Sequence, residues 1–204
     1  MPGTWQTKKT INLGNPSSFG LECGLSEAFE QLGFKALGYF LIHLGGMQYG
    51  VCQPDATMLA CSVDAIGEIK KRRGTHAAPF STAASASDIA DALIQSTYAQ
   101  NPDTGMAFGF SLSEFKEAIH EANLHWAPDG DQAFDDGSHL LQFDVADKVR
   151  LIGFKTLENY RHDPRTLRDI WLDADLFYAI LAEFLDSFSR KREELLAAKR
   201  QGNS

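Results

Sequence analysis

Three stretches of this chain predict an α+β fold. They are an apolar run closed by a glycine pair (Tyr39 to Gly46), two short apolar strands late in the chain (His139 to Asp144 and Lys148 to Phe154), and a long amphipathic helix from about Asp173 to Arg200. The expected architecture is a small, mainly antiparallel sheet with a central Gly-Gly hairpin, helices packed on it, and the long helix last, all in one domain over residues 1–204.

The hairpin organises the rest. Tyr39-Phe-Leu-Ile-His-Leu44 is too short for a typical helix, contains β-branched Ile42 and ends at glycine, so it reads as a strand. Gly45-Gly46 supplies the positive φ that both central residues of a type I′ turn need, and Met47 to Cys52 returns antiparallel. Both alternating sets of the first strand are apolar, which predicts cover on both faces.

Ahead of it, Thr10 to Leu13 forms a first strand and Gly14-Asn15-Pro16-Ser17 a turn. Ser18 to Cys23 alternates, with Phe19, Leu21 and Cys23 on one face. Ser26 to Leu32 reads as one or two helical turns stopped by Gly33. Beyond the hairpin, Cys61 to Arg73 reads as a helix with Ser62 as N-cap and Ile66 and Ile69 on one face. Its closing run Lys70-Lys71-Arg72-Arg73 before Gly74 suits the negative end of a helix dipole, which accounts for these cations without a nucleic-acid ligand.

Thr75 to Ala86 is a loop. Ser87 is read as the cap of a helix whose apolar face is Ala90, Leu93, Ile94, Thr97 and Tyr98. Ser111-Leu-Ser-Glu114 is a capping box opening a helix with Phe115, Ile119 and Ala122 on one face and Trp126 near its end. An acidic loop, Asp129 to Gly137, precedes the two late strands, which join at residues 145–147. In the last helix Phe177, Ile180, Leu181, Phe184, Leu185 and Phe188 form the stripe, and Leu195 continues it. Its charged final dozen residues are free to protrude, to fray or to pair with a second copy.

The chain has 204 residues, 44% hydrophobic and 23% charged, within the range of ordinary globular proteins. A net charge of −8 opposes gripping a phosphate backbone. Cys23, Cys52 and Cys61 form no C-x-x-C pair and read as buried, reduced thiols. The first ten residues hold no apolar core behind their lysines, and no run approaches ~18 apolar residues, so neither export nor a membrane span is expected and a cytoplasmic protein is.

The charge is unevenly placed. From Asp103 to Asp147 there are ten acids and one base, Lys116, while the remainder is close to neutral. Such a segment is either solvated surface or a docking face for a cationic partner. On the second reading the contact residues are Glu117, Glu121, Asp129, Asp131, Asp135 and Asp136, with Trp126 and Phe134 as aromatic anchors among them.

Familiar catalytic patterns fail on spacing. His120 and His125 are five apart, not the four of a zinc-protease helix. The aspartates of 129–136 do not follow the EF-hand order. Ser113-Glu-Phe-Lys116 has the Ser-x-x-Lys spacing, but the capping box explains it better. Adjacent His162 and Asp163 point in different directions on any regular element. No catalytic residue, metal or cofactor is assigned.

Three features resemble immunity protein family 42 of bacterial polymorphic toxin systems. They are Gly14-Asn15-Pro16-Ser17-Ser18-Phe19-Gly20-Leu21-Glu22, the strand Phe40-Leu-Ile-His-Leu-Gly45-Gly46 followed by Tyr49-Gly50, and the late helix with Phe177 and Leu181. The resemblance covers the first sixty or so residues best and the middle of the chain hardly at all. It implies a non-enzymatic protein that binds a cognate toxin domain stoichiometrically and blocks it in the producer's cytoplasm. A net-acidic inhibitor suits a basic toxin, such as a nuclease. Two other readings stand beside it. One is an enzyme whose site gathers His120, His125, Asp135 and His139; the other is a structural module that self-associates, as a homodimer, through the C-terminal helix.

Overall fold

The computed structural model describes residues 10–99, 104–126 and 132–202. Its first sheet runs β1 (Thr10–Gly14), β2 (Phe19–Ala28), β3 (Ala36–Leu44) and β4 (Met47–Tyr49) in that order, with β5 (Thr57–Met58) also on β3 and every pairing antiparallel. Phe19, Leu21, Cys23 and Leu25 of β2 and Phe40, Ile42 and Leu44 of β3 all enter one core, as their alternation predicts. β3 is covered on its other face too, where Tyr39 and Leu41 are buried.

Leu44 pairs with Met47 across Gly45 (φ 55°) and Gly46 (φ 78°), the expected two-residue turn. The N–H groups of these glycines donate to Ser18 O (2.8 Å) and Pro16 O (2.9 Å). The Asn15-Pro16 turn and the glycine hairpin, far apart in sequence, are therefore one corner of the molecule. Asn15 Oδ1 braces it by accepting the Ser17 N–H (2.9 Å).

Where helical turns are expected over 26–32, β2 instead runs on to Ala28 and the chain then bends and turns towards β3. The strand passes through a bulge between Leu25 and Glu27 before Ala28 faces Ala36. Cross-strand pairing with the early part of β3 outweighs the local helical preference of Ser26-Glu-Ala-Phe.

Helix α1 spans Ala60–Lys71, with Leu59 rather than Ser62 at its N-cap and no side-chain cap bond. Helix α2 spans Ala86–Tyr98 and is capped by Ser85, which accepts the Asp88 N–H (3.1 Å), not by Ser87. The strands β6 (Met106–Ala107) and β7 (Phe110–Ser111) make a short hairpin, and α3 (Leu112–Glu121) opens with the expected Ser111–Glu114 capping box. After a 3-10 turn at Gln132–Phe134 come β8 (Ser138–Val145), β9 (Lys148–Lys155) and β10 (Arg168–Asp173), forming a sheet in the order β10-β9-β8. Helix α4, Ala174–Gly202, closes the fold. The period-two pattern of Arg168-Asp-Ile-Trp-Leu-Asp173 is a strand signal not used in the sequence reading.

Strands β8 and β9 of the second sheet are buried on both faces. Leu140, Val149 and Leu151 point into a core shared with the first sheet, α1 and α4. Leu141, Phe143, Ile152 and Phe154 point into a second core closed by α2 and α3. Between the sheets, the Tyr49 ring lies over Gly153, where an added Cβ would sit 2.7 Å from it, and the Tyr49 hydroxyl donates to Thr166 O (2.5 Å).

The end of α4 does not stand free. The Arg192 guanidinium donates to the carbonyls of Phe29, Glu30 and Lys35 in the turn after β2, and Lys199 and Arg200 pair with Glu27 and Glu30. Cys23 is buried and burial pushes its thiol up, whereas Cys52 and Cys61 are exposed, unlike the buried thiols expected. Cys61 stands on the outward side of the first turn of α1, and Cys52 lies in the coil following β4.

Gln142 is completely buried in the shared core, and its amide is matched on both sides. It accepts from Trp126 Nε1 (2.8 Å) and donates to the Tyr178 hydroxyl (2.8 Å) and to Asp144 Oδ1 (3.2 Å). Gln142→Leu leaves the indole N–H without its acceptor. It should lower unfolding free energy by roughly 2–4 kcal/mol, read from urea denaturation, since stranded buried polar groups cost about 1–3 kcal/mol each.

Candidate functional site

Segment 103–147, where the negative charge gathers, divides into acids used inside the fold and acids left outside. Glu114 belongs to the first group. Its carboxylate accepts the Ser111 N–H (2.8 Å), and that bond holds its pKa below the ordinary glutamate value. Asp136 is half-buried, paired with Lys155, and accepts the backbone N–H groups of Gly50 (3.3 Å) and Ser138 (3.2 Å). Asp144 accepts the Gly74 N–H (2.6 Å) and the Tyr178 hydroxyl (2.9 Å), fastening the end of α1 to α4. Burial, reinforced by that carboxylate, pushes the Tyr178 phenol up.

Glu117 and Glu121 belong to the second group. Leu112, Phe115 and Ile119 turn inward, which leaves Lys116, Glu117, His120 and Glu121 exposed. Two carboxylates at i,i+4 repel, and Glu121 also sits at the negative end of the helix dipole. Neither has an ion-pair partner among the described residues. Asp135, after the 3-10 turn, is likewise exposed and unpaired among the described residues. Asp129 and Asp131 lie outside the described residues.

The two aromatic residues expected among these acids do other work. Trp126 is 5% exposed, edge-on to Phe19 and bonded to Gln142; Phe134 is 8% exposed, edge-on to Phe40. Trp126 faces the core because the chain after α3 runs along β8, its N–H donating to Leu140 O (2.9 Å), and Phe134 because the 3-10 turn that carries it packs on Phe40 of β3. Neither ring stands at the surface beside the exposed carboxylates.

The basic run at the end of α1 is largely engaged inside the molecule. Lys71 pairs with Glu68, Arg73 pairs with Asp175, and Arg72 donates to Glu121 O (2.9 Å) at the C-terminus of α3. His76, fully buried, places Nε2 3.1 Å from Ile69 O and Nδ1 3.1 Å from Asn123 O, tying α1 to the end of α3.

Of the histidines considered as an assembled site, His125 and His139 do meet: Nε2 to Nδ1 is 3.1 Å and their rings stack. His120 and His125 line a cleft of about 310 Å³ with Leu93, Thr97, Lys116, Ile119 and Asn123, which Asp135 does not line. Burial of its ring, helped by His139, pushes the His125 pKa down to about 3, so the imidazole is neutral near pH 7. His162 turns to Asp91 (2.8 Å) and Asp163 to Arg165 (2.8 Å), the divergence expected of neighbours. No three His, Cys, Asp or Glu side chains among the described residues come together as a metal site. No helix among them is long and apolar enough to cross a membrane.

The sequence reading missed Arg150 and Trp171. Arg150 is 4% exposed, binds Asp169 with both Nε (2.9 Å) and Nη2 (2.8 Å), and donates through Nη1 to Thr82 O and Ala84 O (both 3.0 Å). Its guanidinium carbon lies 5.5 Å from the centroid of the exposed Trp171 ring.

The antiparallel sheets and the long closing helix define an α+β protein whose fold is shared with a protein of known structure. That is CdiI from Burkholderia dolosa AUO158, at a TM-score of 0.54 and 15% identity, over 86% of this chain and 99% of that one. Residues 11–187 match Immunity protein 42, and the chain belongs to that family. The match runs through the middle of the chain, which the motifs of the corner and hairpin did not reach. No curated protein matches the chain. Family membership gives the chain an immunity role, and its partner is a protein, the toxin it counters.

Because His125 takes up a proton on unfolding but not in the native state between its folded value and about 6.5, the native state loses ground there as pH falls. Unfolding free energy should drop between about pH 6.5 and 3 with a contribution of up to about 1.4 kcal/mol per pH unit from this group. His125→Gln should flatten that part of the profile in urea titrations run across the range.

Proposed function

We propose that this immunity protein neutralises its cognate toxin domain stoichiometrically, in the producer's cytoplasm, by covering a cationic surface of the toxin with its own acidic one. The observation that carries this reading is Glu117 with Glu121. The fold tolerates like charges at i,i+4, the second at an unfavourable helix end, and gives neither a counter-ion among the described residues. A surface optimised for stability alone would place a lysine at one of them. A bound cationic partner would turn both local penalties into attraction.

Asp135 extends the acidic set, as Asp129 and Asp131 do in sequence, whereas Asp136 is already neutralised by Lys155. A toxin that cleaves nucleic acid needs cations to hold phosphates, and a basic nuclease is the class of partner this surface suits best. Inhibition by occlusion asks for no reaction centre in the inhibitor, and neutral His125 with its neighbour His139 is read as packing, not chemistry.

The test is a titration of the cognate toxin domain with wild-type protein and with a Glu117→Gln/Glu121→Gln/Asp135→Asn variant. Loss of three surface charges should weaken binding roughly 10-fold at low salt, flatten its salt dependence and reduce protection in co-expression. Equal affinity and an unchanged salt slope would sink the acidic-surface mechanism.

A further inference from the structure

Fully buried His76 has both ring nitrogens against main-chain oxygens. Nε2 lies 3.1 Å from Ile69 O, and Nδ1 lies 3.1 Å from Asn123 O and 3.3 Å from Ala122 O. A carbonyl oxygen only accepts, so the contact on each side of the ring needs a hydrogen on its nitrogen. A neutral imidazole has one N–H and serves one side alone, leaving a lone pair aimed at an oxygen on the other. Turning the ring over would put carbon in both places and lose both bonds.

The surroundings favour a positive ring. Ile69 O is among the last four carbonyls of α1, which have no partner inside the helix, and the oxygens of Ala122 and Asn123 stand at the end of α3. Two negative helix ends therefore converge on one side chain. From β8, the Asp144 carboxylate lies 3.5 Å from the His76 backbone nitrogen. The cations nearby are engaged or turned outward. Arg73 pairs with Asp175 of α4 and lies over the Tyr178 ring, Arg72 donates to Glu121 O, and Lys70 and the Glu121 side chain are exposed.

We infer that His76 is carried as the imidazolium, a buried cation that clasps the end of α1 to the end of α3, and that loss of its proton at alkaline pH opens this joint. The native state then keeps a proton that the unfolded chain gives up near about pH 6.5. Unfolding free energy from this group should accordingly fall as pH rises from mildly acidic to mildly alkaline. The end of α3 held this way carries Glu121, so the same clasp fixes where that exposed carboxylate stands.

The test uses the full chain alone, with no toxin. Side-chain nitrogen NMR of wild type at neutral pH should place both His76 nitrogens at the shifts of a doubly protonated ring. Raising the pH should move one of them to the shift of an unprotonated nitrogen, together with the amide signals of Thr75, Asn123 and Leu124. Urea denaturation across the same range should show unfolding free energy falling with pH. Other histidines bear on that range, so the share that counts is the one that His76→Gln removes, at a Tm several degrees lower. If His76→Gln does not fold, the wild-type nitrogen shifts decide the matter by themselves. One His76 nitrogen unprotonated at neutral pH would overturn the inference. So would a folded His76→Gln whose stability varies with pH as the wild type's does.

Discussion

Burial of the Gln142 amide is the constraint around which the other elements are arranged. A side chain with both a donor and an acceptor in an apolar core has to be matched at every atom, because an unmatched group there is costly. The match draws Trp126 from the segment after α3, Tyr178 from α4 and Asp144 from its own strand, and Asp144 goes on to hold Gly74 at the end of α1. One polar chain therefore fixes where three helices stand relative to β8. Directional bonds of this kind select a single packing where apolar contacts alone would allow several.

The same chain separates the two uses of negative charge. Asp144, Asp136 and Glu114 each stabilise a particular local arrangement, and their charge is largely spent on neighbouring N–H groups, a hydroxyl or a lysine. Glu117, Glu121 and Asp135 have no such task among the described residues and keep their field for what lies outside. Net charge counted along a sequence mixes the two groups; only partners in space separate them.

Elements whose signal is local were legible in the sequence. The glycine hairpin, the Ser111 capping box, the alternation of Phe19, Leu21 and Cys23, and the α4 stripe each follow from a few adjacent residues. Errors came where distant chain decides. The end of β2 is a strand because Ala36 is there to pair with Ala28, and nothing near Ser26 announces it. Trp126 looked like a surface anchor because it stands next to acids, yet the bridge of His125 to Leu141 turns it inward. Charged residues near the C-terminus suggested a free helix end because their partners, Glu27 and Glu30, lie at the other end of the chain. For the candidate site, the acidic composition was readable, but which carboxylates are committed internally was not. Arg150 and Trp171 passed unnoticed because their pairing exists only across the register of β9 and β10.

The corner where Pro16 and Ser18 accept from Gly46 and Gly45 bears on how the molecule can be handled. A hairpin tip is ordinarily the safest place to splice in a tag, a fluorophore site or a permuted terminus. Here both amides of the tip are occupied, and Arg168 Nε also donates to the Gly45 carbonyl (3.2 Å), so the tip joins the first sheet to the strand leading into α4. Lengthening it by even one residue would loosen the seam between the sheets. Exposed Gly33, where a Cβ would meet nothing within 4 Å and the backbone φ is not positive, is the gentler place to attach a reporter.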